Sequence, residues 1–261
     1  MKMSKKIVIS KEKINSILGI PCYIFDTVDS TNNVAKELAE NGEGNSVIIA
    51  LHQSAGRGRR GRSFFSPDGC GIYMSLLVRA DEQAENIALM TSAAAVAVAE
   101  AIEAVSDVRA DIKWINDIYI GGKKACGILC ESVFSGTTGL PEYTVVGIGI
   151  NLIAPDGFPE EIAHIATSVF GNKLPDEDIP SRLCAKIASK IFKYAKNLSK
   201  KEFLKKYKEK SFVLGREITV HSASESYPAT ATDIDDECHL IVTLPDGTQR
   251  TLSSGEISIK I

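Results

Sequence analysis

Residues 52–62 read HQSAGRGRRGR. Four guanidinium groups, from Arg57, Arg59, Arg60 and Arg62, are interleaved with Gly56, Gly58 and Gly61. Guanidinium forks match carboxylates and phosphates, and glycine lets backbone N–H groups come close to an anion. Arginines this dense repel one another when no anion is present, so the loop is expected to act as a lid that orders around one. The glycines also satisfy G-x-G-x-x-G, but a dinucleotide fingerprint needs them to open a helix. Here the following Pro67-Asp68-Gly69 signals a turn, so that match is accidental.

Three further groups carry chemistry. In KWINDIYIGGKKACGILCE, residues 113–131, Lys113, Asn116, Asp117, Lys123, Lys124 and Glu131 are threaded through apolar strand positions. Lys113 and Lys124 can neutralise phosphate, and Asp117 can hold a metal or accept a proton; a hairpin with outward charges explains the same pattern. In VVGIGINL, residues 145–152, Gly147 and Gly149 imply close approach by a ligand or another backbone. Asn151 offers a donor–acceptor pair suited to an adenine edge. In DSTN, Ser30, Thr31 and Asn32 are short polar groups at a helix start, where capping by Ser30 or Asp29 accounts for one of them. The four histidines are isolated and no Ser-His-Asp or Cys-His pairing is visible, so an enzyme nucleophile is not expected.

These groups need a framework. Residues 24–28 read as a strand, and the helix after it ends at Asn41-Gly42. SVIIALHQ is a buried strand running into the arginine loop, and GIYMSLLVR is the next. Residues 86–105 form a deeply packed alanine-rich helix. VRADIKW is a strand, and the segment after it folds as two strands around Gly121-Gly122. Residues 179–197 and 199–209 are lysine-rich helices, and from Phe212 onward short alternating strands describe a small β-barrel. A domain boundary is expected near Lys210, giving domains 1–210 and 211–261. Hairpins stand where a doubly wound fold would have crossovers.

The 261 residues suffice for one large domain plus a small one. The net charge of −3 makes the arginine cluster a local feature and favours a small anion over a nucleic acid. The N-terminus lacks a secretory h-region, and the six scattered cysteines read as reduced thiols in a cytoplasmic protein. Ten lysines against two glutamates over residues 186–210 allow either a solvated face or a docking surface for an acidic partner.

Taken in order, DSTN (29–32), QSAGRGRRGR (53–62), KWIND (113–117), KKACGILCE (123–131), GIGIN (147–151) and the late GEIS resemble the biotin protein ligases. The resemblance implies an α+β fold: a mixed sheet flanked by helices, related to class II aminoacyl-tRNA synthetases, with a C-terminal SH3-like barrel. It implies activation of biotin with Mg-ATP to biotinyl-5′-AMP, then transfer to one lysine of a biotin carboxyl carrier protein. Carried over by motif, Ser30, Thr31, Asn32, Gln53, Gly56, Arg57, Gly58, Arg59, Lys124 and Gly127 bind biotin. Arg59, Arg62, Asn116, Lys124 and Asn151 bind the nucleotide, Asn151 at adenine. Lys124, Arg57, Arg59 and Asp117 are the catalytic set, with Mg²⁺ near Asp117. Ile115 replaces the proline common in KWPND, and Phe64 stands where tryptophan is usual. Fewer than 30 residues precede DSTN, so no DNA-binding domain or repressor activity is expected; the apolar run from Ile87 to Val105 is broken by polar residues, so no membrane contact is expected, and a homodimer is compatible with the resemblance. The rival readings are a lipoate–protein ligase of the same fold and a non-enzymatic RNA-binding module.

Overall fold

The structure, a computed structural model, describes residues 7–79, 84–154, 156–222 and 225–259. Helix α1 (Lys11–Leu18) is capped by Ser10, whose hydroxyl accepts from Lys13 N, and stopped by Gly19 at φ 65°. Strand β1 (Cys22–Val28), helix α2 (Thr31–Glu40) and strand β2 (Ser46–Gln53) follow. β1 and β2 pair in parallel, which requires a crossover, and α2 supplies it. Beyond the arginine loop come β3 (Gly71–Val78), α3 (Ala84–Ile87), α4 (Met90–Glu103), β4 (Asp111–Lys113), β5 (Asp117–Ile120), β6 (Lys123–Phe134) and β7 (Pro141–Asn151). The seven strands form one mixed sheet, ordered β1-β2-β3-β7-β6-β5-β4. The turn between β5 and β6 is Gly121-Gly122, as the sequence predicts, both at positive φ. The helix expected over 86–105 breaks near Leu89 into α3 and α4.

Strand alternation divides the sheet into two unlike faces. Val47, Ile49, Ile72, Met74, Val146 and Ile148 point into the main core. There they meet α4, whose small side chains let it lie buried between the sheet and two later helices, α6 (Ile179–Ala195) and α7 (Leu204–Lys210). A four-residue helix α5 (Glu160–Ala163) precedes them. The intervening positions face the opposite way, where α2 covers Ile48, Leu77 and Val145. Ser75, Gly127, Glu131, Gly147 and Gly149 lie on this second face by the same alternation.

The C-terminal strands β8 (Glu217–His221), β9 (Ser226–Ile234), β10 (Leu240–Thr243), β11 (Gln249–Leu252) and β12 (Glu256–Ile259) form an antiparallel sheet ordered β11-β10-β9-β8-β12. Its buried side chains, among them Ile218, Ala231 and Leu240, run on into the main core. Phe212 N donates to Ile112 O at 3.2 Å, and the Trp114 indole N–H donates to Cys238 O at 3.0 Å. The six cysteines are free thiols. Among the described residues no helix is long and apolar enough to cross a membrane.

The lysine-rich helices pair several of their cations with neighbouring elements. Lys190 and Lys206 both bind Glu100 on α4, Lys210 binds Glu103, Lys201 binds Glu237 and Lys208 reaches Asp233. Much of this charge is spent tying α6 and α7 to their neighbours. Burial works to raise the Glu100 pKa, but the hydrogen bonds from Lys190 and Lys206 outweigh it and hold it below the ordinary glutamate value. A carboxylate lowered in this way stabilises the fold above its unfolded-state pKa, and the contribution is lost as pH falls through the folded value. Glu100→Gln is therefore expected to cost about 1–3 kcal/mol at pH 7. Denaturant melts should show the gap to wild type closing in acid.

Candidate active site

One cleft of about 380 Å³ opens on the α2 face of the sheet. Its floor is built by the start of α2. Ser30, Thr31 and Asn32 are all buried. Ser30 occupies the N-cap position, yet its side chain makes no capping bond, so the expected cap is not where this hydroxyl is used. Thr31 donates from N and Oγ1 to Gln53 Oε1 at 2.9 and 3.1 Å. Gln53, at the end of β2, donates from Nε2 to Ser66 Oγ at 3.2 Å. Ser75, buried on β3, lies 2.8 Å from Thr31 Oγ1 and 2.6 Å from Asn32 Oδ1.

The two strand glycines are occupied by side chains rather than by another backbone. A Cβ at Gly147 would stand 2.2 Å from Asn32 Oδ1, and one at Gly149 would stand 2.5 Å from Phe64 Cε1. Asn32 and the Phe64 ring therefore lie directly on the β7 backbone, with Phe64 also against Gly127. Phe64 thus forms an aromatic wall of the cleft.

The arginine loop closes one side. Gly58 N donates to Arg62 O at 2.7 Å, and a single turn of 3₁₀ helix spans Arg59–Gly61. No α-helix starts there, which removes the dinucleotide reading. Gly56 sits below the cleft lining, with its carbonyl accepting from Phe64 N at 2.9 Å. Three of the four arginines have partners, so their mutual repulsion is offset within the fold. Arg57 binds Asn33 and Glu131, Arg59 donates to Asn116 Oδ1 at 3.0 Å, and Arg62 binds Glu256 at 2.7 Å.

The opposite wall is the β4–β5–β6 region. Asn116 is fixed by donating from Nδ2 to Ile128 O at 2.7 Å. Its neighbourhood is anchored by buried Trp114 and by the Tyr207 hydroxyl, which donates to Ile115 O at 2.9 Å; the Trp114–Ile115 peptide bond is cis. Lys124 is held through its backbone, which bonds Ile165 and Thr167, while its Nζ lies 2.8 Å from Asp117 Oδ1. That contact is an ion pair without hydrogen-bond alignment, so Asp117 Oδ1 is buried with no directed donor. Burial lowers the Lys113 pKa against the opposing pull of Asp117. His221, Glu256 and Ser258 of the C-terminal sheet complete the lining.

The sequence-derived residues thus converge, except for Gly56, which lies beneath the lining, and Asn151. Asn151 lines a separate hollow of about 150 Å³ with Phe65, Cys70 and Phe158, and its Nδ2 donates to Thr167 O at 3.1 Å. Ser75 and the C-terminal wall were not singled out as site residues. For the wall, the late GEIS motif was the available signal; Ser75 lies in an unremarkable strand. Among the described residues no group of three His, Cys, Asp or Glu side chains is gathered to hold a metal.

Residues 24–151 match the biotin/lipoate A/B protein ligase family, and residues 213–260 match the biotin protein ligase C terminal domain. The chain belongs to the biotin protein ligase family. It is 42% identical over 156 residues to the bifunctional ligase/repressor BirA of Bacillus spizizenii, covering 59% of this chain and 47% of that protein. The chain spans about half the length of such ligase/repressors. It is 29% identical over 219 residues to the biotin–[acetyl-CoA-carboxylase] ligase of Mycobacterium tuberculosis, covering 81% of this chain and 77% of that protein. A structure of biotin protein ligase from Aquifex aeolicus in complex with biotin and ATP superposes with a TM-score of 0.73 at 27% identity, covering 92% of this chain and 98% of that one.

Gly147→Ala tests the floor directly. The added methyl displaces Asn32 and should lower stability by about 1–3 kcal/mol. An unchanged denaturation midpoint would mean that Asn32 is not held as described.

Proposed function

We propose that this chain is a biotin protein ligase that activates biotin with ATP to biotinyl-5′-AMP, releasing pyrophosphate, and passes the biotinyl group to a lysine of a biotin carboxyl carrier protein, releasing AMP. The observation that carries the reading is the meeting, in one cleft, of a polar floor of Thr31, Asn32 and Gln53 with the cations Arg57, Arg59 and Lys124. Joining a carboxylate to a phosphate brings two anions together, and fixed positive charge is what lowers that barrier. The C-terminal match favours biotin over lipoate as the acid.

In this reading the Thr31–Gln53 pair and Ser30 meet the ureido ring, with Asn32 and Gly127 shaping the pocket and Phe64 walling it. Lys124 stands between the biotin carboxylate and the α-phosphate. Arg57, Gly58 and Arg59 close over the adenylate and keep water from the mixed anhydride, while Gly56 shapes the turn into this lid. Arg62 and Asn116 face the nucleotide. Asn151, in its hollow beside Phe65, takes the adenine edge. Mg²⁺ prefers one or two carboxylates together with phosphate oxygens. Asp117, whose Oδ1 lacks a directed donor, fits as such a ligand, and the ion would supply charge neutralisation to the phosphates. In the second step the carrier lysine must lose a proton from an amine of pKa about 10.4. Asp117 is the carboxylate to which this reading assigns the proton. A cytoplasmic location, where ATP is supplied, is part of this reading.

Biotin-dependent exchange between ATP and pyrophosphate tests the activation step, and no exchange above background would overturn the reading. Arg59→Ala should release adenylate about tenfold faster, a change worth 1.4 kcal/mol, while weakening biotin binding less. Asp117→Asn should slow transfer from preformed adenylate; transfer at the wild-type rate would remove Asp117 from the proton path.

A further inference from the structure

Glu131 has no part in the proposed chemistry, yet it joins the floor of the cleft to the arginine loop. It sits on β6, on the α2 face, with little exposure. Its Oε2 accepts from Asn32 Nδ2 at 2.7 Å. Its Oε1 accepts from two cations at once, Lys36 Nζ at 2.7 Å and Arg57 NH2 at 2.9 Å. Arg57 uses its other terminal nitrogen on Asn33 Oδ1 at 2.9 Å. Behind Asn32, the contacts continue through Ser75 and Thr31 to Gln53. A continuous path of polar contacts therefore runs from Gln53 to the first arginine of the loop, and Glu131 is the junction where the path leaves the floor.

We propose that Glu131 is a positioning residue whose carboxylate latches the arginine loop to the floor of the cleft, and that Lys36 tempers the latch by competing with Arg57 for the same oxygen. The role assigned to the loop rests on the ligase reading; the latch itself does not. Two cations sharing one carboxylate oxygen repel each other, and although Arg57 is exposed, Lys36 and Glu131 are part-buried, so the repulsion is only partly screened. Removing Lys36 leaves Arg57 as the one cation on Glu131 Oε1 and tightens the hold. Removing the Glu131 charge leaves Lys36 and Arg57 facing each other uncompensated and frees the loop. Burial works to raise the Glu131 pKa, but the hydrogen bonds from Lys36 and Asn32 and the charges of Lys36 and Arg57 hold it below the ordinary glutamate value. The carboxylate is thus ionised at neutral pH, as a latch on Arg57 requires.

A merely structural ion cluster and a latch predict different signs. If the cluster only supported the fold, Glu131→Gln and Lys36→Met would both loosen the loop. The latch predicts opposite effects. In the ligand-free protein, tryptic cleavage after Arg60, followed by mass spectrometry, should be about three- to fivefold faster in Glu131→Gln and slower than wild type in Lys36→Met. Asn33→Ala, which removes the other Arg57 bond without touching Glu131, should move in the same direction as Glu131→Gln. With biotin and ATP supplied, escape of biotinyl-5′-AMP should follow the same order. Cleavage that changes in the same direction in Glu131→Gln and Lys36→Met, or in neither, would overturn the latch. If the wild type forms no adenylate, the ligase reading fails while the proteolysis arm still decides the latch.

Discussion

Gathering positive charge at one cleft of a net-acidic chain is a problem that the fold has to solve before any ligand arrives. Arg57, Arg59, Arg62, Lys113 and Lys124 all line the same space. Left to themselves they would repel, and their desolvation would be costly. Their partners come from three stretches of the chain: Glu131 from β6, Asn116 and Asp117 from the β4–β5 turn and the start of β5, and Glu256 from the C-terminal sheet. Only a sheet that places β5 and β6 beyond β7, with the second sheet packed against its edge region, brings these acceptors to one set of cations. The strand order can therefore be read as the arrangement that makes the cleft electrostatically tolerable.

The cleft is also shaped by what the strands leave out. One face of the main sheet is filled to solidity by β-branched side chains and the alanines of α4. The other carries glycine or small polar residues over much of the cleft. Asn32 and Phe64 settle on that bare backbone and become the floor and a wall. A rigid packed face thus supports a recognition face, which is how polar groups can be held in place without a large contribution from the loops themselves.

Local signals in the sequence carried much of this. The arginine loop at the end of a buried strand, the Gly121-Gly122 hairpin and the α2 boundaries are matters of nearby residues and backbone preference, and they read directly. What did not read was the choice of partner. Nothing near Ser30 says that its hydroxyl leaves the cap unmade. Nothing near Lys190 or Lys206 says that Glu100, some ninety residues away or more, consumes their charge. The importance of Glu131 depends on α2, the loop and β6 meeting, which is a property of topology. Lysine density left a solvated face and a docking surface both open for the same reason: density is local, whereas neutralisation is long-range. Asn151 shows the limit of motif order, because its motif neighbours Gly147 and Gly149 line the cleft while it faces the adjoining hollow.

Trp114 is the chain's single tryptophan. It is buried at the junction of the two sheets, bonded to Cys238 O, and it also lines the cleft. Excited at the red edge of its absorption, where tyrosine does not absorb, the molecule carries one indole fluorophore, seated where its two sheets and its candidate site meet. Its emission has a single structural origin, so a spectral change on filling the cleft can be assigned without labelling, and loss of the indole environment on unfolding reports the parting of both sheets at once.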